Sequence, residues 1–174
     1  MTIRKLLRMG HPLLHEPSYP VQEFNTAVLD ALIEDMKDTM IEAEGAGIAA
    51  PQIGVLWQVV MFEIDDNPRY PNEESIDFTV LINPEIRPVS DKMSAGWEAC
   101  LSVPGMRGLV PRFKSVRYCG FDQKGDKIER EVDGFHARVV QHECDHLLGI
   151  LYPQRIVDMK DFGFSDELAD KVGC

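Results

Sequence analysis

The stretch from Gly134 to Leu148 constrains this chain most, because it has no internal proline or glycine and Gly149 follows it as a C-terminal stop. It predicts a helix, and that helix carries Gln141-His142-Glu143-Cys144-Asp145-His146. His142 and His146 stand four positions apart, so both imidazoles project from one face about one turn apart. Phe135 and Val139 fall on the same face, and Val140, Leu147 and Leu148 widen its apolar stripe, so the helix should lie deep in the fold. Two imidazoles so placed suit a single divalent cation, and Glu143 can reach the cation's open position. The chemistry this supports is metal-assisted hydrolysis, in which the cation acidifies a water and the carboxylate takes its proton. The plainer alternative is a helix that happens to carry two histidines.

A hydrolytic metal typically keeps three protein ligands and one position for water. Three patterns bear on the third place. In the long metalloprotease pattern it would fall at position 152, where this chain has Tyr152. A downstream glutamate serves in another protease pattern, and Glu167 could be pressed into that role, although its acidic surroundings suit a solvated surface residue better. Upstream, Cys100 in Glu98-Ala99-Cys100-Leu101-Ser102 would complete a Cys-His-His set, its alternative being a buried free thiol.

Three segments follow one another in order: Gly45-Ala46-Gly47-Ile48-Ala49-Ala50-Pro51-Gln52, then Glu98 to Ser102, then Gln141 to His146. Together they resemble the three signature motifs of the peptide deformylases, metal hydrolases that remove the formyl group from the N-terminal formyl-methionine of newly made proteins. The resemblance runs from the first residues to Tyr152. It implies that Cys100, His142 and His146 hold the metal, ferrous iron natively, with zinc, nickel or cobalt able to replace it. It further implies that a metal-bound water attacks the formyl carbon, with Glu143 as general base and then general acid. Gln52 and the Leu101 N–H would form the oxyanion hole, and Glu98 would pair with Arg112 as structural support. Gly47 would lend backbone hydrogen bonds to the substrate, its missing side chain allowing close approach. Ala46, Phe135 and Val139 would line the methionine pocket. One position departs: the family's second motif has glycine where this chain has Ala99. A positive φ there would strain the turn, whereas at negative φ alanine costs little.

Two other readings remain beside this one. A zinc endopeptidase shares the His-Glu-x-x-His chemistry but needs a ligand after His146 and no Cys100. A catalytically weak paralogue would keep its metal for peptide binding or structure, and Ala99 is the only feature that favours it.

The rest of the chain fits an α+β domain, with antiparallel or mixed sheets packed around the metal-bearing helix. Its 174 residues are expected to form one domain, 1–174, with 158–174 as a tail that packs or frays. Asn25 reads as the N-cap of a first helix, with Phe24 and Leu29 stapled across it and Leu29, Leu32, Ile33, Met36 and Met40 as its apolar stripe. Gly45 should end that helix. Trp57–Ile64 and Thr79–Ile82 read as buried strands, 65–77 as a surface loop, and Val116–Phe121 with Lys127–Val132 as a hairpin. The four cysteines show neither zinc-finger nor disulfide spacing; Cys119 is expected in the core and Cys144 turned away from the ligand face. No secretory or membrane-spanning segment is expected, which favours the cytoplasm. A net charge of −11 argues against direct nucleic-acid binding. The partners that follow are N-formylmethionyl nascent peptides, with transient proximity to the ribosome and no membrane.

Overall fold

The first helix, α1 (Ala27–Glu42), buries Leu29, Leu32, Ile33, Met36 and Met40, the stripe its spacing predicts. Its N-cap, however, is Thr26, whose hydroxyl accepts from the Leu29 N–H at 3.2 Å. Asn25 lies one place earlier at φ +55°, a left-handed conformation that asparagine tolerates, and its N–H donates to the Gln123 carbonyl. Phe24 packs on Phe121, with ring centroids 5.3 Å apart. The Gly45 N–H closes the helix end on the Met40 carbonyl. These details come from a computed structural model that describes residues 2–65, 67 and 73–168.

Beyond α1 the described residues form eight strands: β1 (Gly47–Ala49), β2 (Val59–Ile64), β3 (Ile76–Pro88), β4 (Met93–Cys100), β5 (Val103–Phe113), β6 (Ser115–Phe121), β7 (Lys127–Asp133) and β8 (Phe162–Phe164). The second helix, α2 (Gly134–Leu147), follows β7, with Gly149 just beyond it at φ +72°. One sheet has the order β1-β2-β3-β6-β7 and the other β4-β5-β8, and every pairing within them is antiparallel. The architecture is α+β.

Strand β2 shows why its sequence is a near-continuous apolar run. Val59 and Met61 join the core shared with α1, while Val60, Phe62 and Ile64 join the core shared with Val139, Val140 and Leu147 of α2. Alternate residues face opposite sides of a strand, so a sheet covered on both faces needs apolar residues at every position. A third core, around Val103, Val110, Leu151 and Tyr152, joins the small sheet to the segment after α2.

Strand bounds differ from expectation mainly in length. β3 extends from Ile76 to Pro88, and Trp57 lies before β2 in an isolated bridge with Tyr19. The β6–β7 hairpin closes through Asp122, whose carboxylate accepts from the Lys124 and Asp126 N–H groups. Of the expected 65–77 loop, residues 66 and 68–72 lie outside the described residues. Within the 158–174 tail, Phe162–Phe164 packs as a strand on β5, and 169–174 lie outside the described residues. Cys119 is half-buried rather than a core residue, because on β6 it alternates with the buried Val116, Tyr118 and Gly120.

Candidate metal centre and active site

Two loops and α2 meet at the end of β4. His142 and His146 lie one turn apart on α2, while the end of β4 brings Cys100 against them; the Cys100 Sγ is 3.3 Å from His146 Nε2. One potential ligand atom from each of the three falls within 4.8 Å of the others, and all three residues are buried. Among the described residues this is the one such group of cysteine, histidine or carboxylate side chains. Tyr152 is not part of it. It stacks on His142 with ring centroids 6.0 Å apart, a packing role behind the cluster. Glu167 is exposed and also stands outside the group.

Glu98 fixes the orientation of the first histidine. Its Oε2 lies 2.8 Å from His142 Nδ1, which leaves Nε2 to face the cluster. The same carboxylate accepts a two-pronged bond from Arg112 at 2.9 and 3.0 Å, and a further bond from Arg138 at 2.8 Å. Arg112 also reaches Asp145, which Arg155 grips at 2.7 and 3.1 Å. Burial alone would raise the Glu98 carboxyl, but the bonds from His142 and Arg112 outweigh it and hold the group well below the usual carboxylate range. For His142, burial disfavours the extra proton, yet hydrogen bonds to Cys100 and Glu98 prevail and raise its pKa well above the ordinary value. His146 shifts the opposite way, through burial first and then the positive charge on His142 and Arg112. A site that draws positive charge onto a nitrogen facing a sulfur, beside a second imidazole biased to neutrality, suits a divalent cation bound by sulfur and nitrogen.

Glu143 stands beside this cluster with its Oε2 buried and without a hydrogen-bond partner. Burial, as the leading cause, raises its carboxyl to about 7; the neighbouring His142 charge opposes the shift. The carboxylate rests on Gly47: a Cβ built there would come 2.6 Å from Glu143 Oε1. The glycine therefore makes room for this carboxylate, a reason the sequence did not reveal.

Gln52 is buried, and its amide is fixed at both ends. Oε1 accepts from the Ala49 N–H at 2.8 Å, so Nε2 points the other way, donating to Ser102 Oγ at 3.1 Å and toward Cys100 Sγ at 3.5 Å. One cleft is lined by Gln52, Cys100, Leu101, His142 and Glu143 on its polar side. Gly47, Ala46, Phe135 and Val139 line it as well, whereas His146 does not. Ala99 also lines it. The non-glycine residues with positive φ among the described residues are Asn25, Glu44 and Asn83, so Ala99 introduces no strain of that kind. The sequence reading overlooked Arg138. It lies four positions before His142, hence on the same face of α2, and besides Glu98 it binds the carbonyls of Ser94 and Val110, tying α2 to the β4–β5 hairpin.

A buried sulfur–imidazole cluster beside an unpaired carboxyl and an aimed amide donor defines a metallohydrolase centre. The profile described as polypeptide deformylase matches residues 3–162. The chain is 57% identical to peptide deformylase 1 of Nitrosomonas europaea and 60% identical to peptide deformylase 2 of Ralstonia nicotianae, each over 95% of this chain and 94% of the relative. Its fold is similar to the Met-Ala-Ser-bound class I type b peptide deformylase of Acinetobacter baumannii, with a TM-score of 0.86, 39% identity, and coverage of 89% of this chain and 99% of that one. The chain belongs to the peptide deformylase family and is an enzyme of that class, a metal-dependent hydrolase. No helix among the described residues is long and apolar enough to cross a membrane.

Proposed function

We propose that this chain, acting as a single domain in the cytoplasm, removes the formyl group from N-formylmethionyl ends of nascent peptides close to the ribosome. Cys100, His142 and His146 would hold one divalent metal, ferrous iron in the cell. When bound, the metal supplies Lewis acidity, polarising the formyl carbonyl and lowering the pKa of the attacking water.

The observation that carries this reading is the placement of Glu143 and Gln52 on the cleft that Cys100 and His142 also line. Glu143 takes a proton from the attacking water as its oxygen bonds to the formyl carbon. Negative charge then collects on the former carbonyl oxygen, where the Gln52 Nε2 and the Leu101 N–H donate hydrogen bonds. When the C–N bond breaks, Glu143 returns its proton to the leaving amine, so formate and a free N-terminal methionine depart. A carboxyl near 7 is matched to both transfers at neutral pH. Gly47 lies on β1, an edge strand, from which an extended peptide backbone can be held. Ala46, Phe135 and Val139 offer the apolar wall for methionine.

Anaerobically prepared protein loaded with iron or nickel should release stoichiometric formate from formyl-Met-Ala-Ser. Absence of release from fully loaded protein would sink the reading and favour a binding paralogue; internal cleavage of an unformylated peptide would favour an endopeptidase. Gln52→Ala is expected to lower kcat by about 100-fold, since one oxyanion donor is worth about 3 kcal/mol. A change confined to KM would remove Gln52 from that role.

A further inference from the structure

Beside the metal cleft runs a second groove of about 1040 Å³, and Ala99, Cys100 and Leu101 line both. The N-terminal segment forms its far wall. The Leu7 N–H bonds the Gln52 carbonyl and the Met9 N–H bonds the Ser102 carbonyl, each at 2.8 Å, so this segment is fastened to the two loops that carry the reacting groups. Lys5, Arg8, His11 and Arg107 line the groove, and among the described residues no acidic one does. Lys5, Arg8 and Arg107 form no ion pair with an acid among the described residues. In a chain of net charge −11, such a surface runs against the overall field.

We infer that this groove selects substrates with acidic side chains in the residues that follow the first few of the peptide. The inference rests on the deformylation reading. Continuity with the cleft is what favours a peptide over any other anion, because a chain whose first residue lies at the metal has an open path into this adjoining space. Carboxylates there would meet three positive charges, on the exposed Lys5 and Arg8 and the half-buried Arg107, in a concave setting where field lines concentrate. Net charge alone would produce the reverse order and favour basic peptides, so the two causes give opposite results.

The test compares kcat/KM for formyl-Met-Ala-Glu-Glu, formyl-Met-Ala-Gln-Gln and formyl-Met-Ala-Lys-Lys, all amidated, with the metal-loaded protein at low salt. The Glu-Glu peptide should exceed the Gln-Gln peptide by about fivefold, mostly through KM, and the Lys-Lys peptide should be slowest. The preference should fade toward unity in about 0.5 M salt, where exposed charges are screened. In the K5E/R8E double variant the Glu-Glu to Gln-Gln ratio should fall to one or below. A flat or reversed order in the unaltered protein overturns the inference, as does a ratio that survives the double variant. If the double variant keeps the ratio but loses co-sedimentation with ribosomes, the groove serves a phosphate backbone and the inference is overturned in that direction. Formate from Gln-Gln without an acidic preference defeats this inference alone, whereas no formate from any peptide defeats the deformylation reading with it.

Discussion

Replacing Glu143 by alanine should lower kcat for formyl-Met-Ala-Ser by about 10³-fold or more while leaving metal content unchanged. The carboxyl is the one acid group on the cleft that no ion pair occupies, its Oε2 has no partner, and burial holds it near 7. On the proposed mechanism its removal takes away the proton acceptor and the proton donor together. The supports of His142 lie elsewhere, in Glu98 and the two arginines that bind it, so the proposed metal ligands should keep their places. Steady-state formate release and metal analysis on the same preparation would check both halves. Turnover within tenfold of the unaltered protein would remove Glu143 from the chemistry. Cys100→Ser provides the contrast, since loss of metal and turnover together would assign Cys100 as a ligand, and retained stoichiometric metal would return the third position to another residue.

Much of this centre was legible because it is local. The four-residue spacing of His142 and His146 fixes their common face once the helix forms, and the apolar stripe of α1 reports its own burial. Long-range geometry was legible only through the three ordered motifs, since nothing in the spacing places Cys100 of β4 against residues some forty positions later. The β4–β5 hairpin escaped the sequence reading for a physical reason. Its strands contain Gly96, Pro104, Gly105, Gly108 and Pro111, and β4 begins with three exposed residues in succession, so neither alternation nor β-propensity marks it. The N-cap was misplaced by one residue because Asn25 and Thr26 both suit the position; the contact of Asn25 with Gln123 decides between them. Gly47 carried the least visible information. The carboxylate above it arrives from α2, and only the folded chain shows that alanine would strike it.

Arg112→Met should cost about 3 kcal/mol of stability, a fall of about 6–12 °C in Tm, measured on metal-free protein. Methionine keeps much of the volume, so the loss comes from charge. Arg112 is buried between two buried carboxylates and satisfies both, and its removal leaves Glu98 and Asp145 with fewer counter-charges in a medium that penalises them. Arg138 still binds Glu98 and Arg155 still binds Asp145, which keeps the loss from being larger. The pH dependence separates this cause from lost packing. Glu98 has a depressed folded pKa, so its contribution is present above its ordinary value of 4.5 and is lost as pH falls toward the folded value. Deleting its partner shrinks that contribution, so the stability gap between variant and unaltered protein should be widest near pH 7 and narrow below about 4.5. A gap independent of pH would assign the loss to packing, and a loss under about 1 kcal/mol would mean that Arg138 and Arg155 suffice. Arg112→Lys should fall between the two. It keeps the positive charge but cannot grip Glu98 with two parallel bonds, so part of the stability returns while His142, and with it metal affinity, remains less well held.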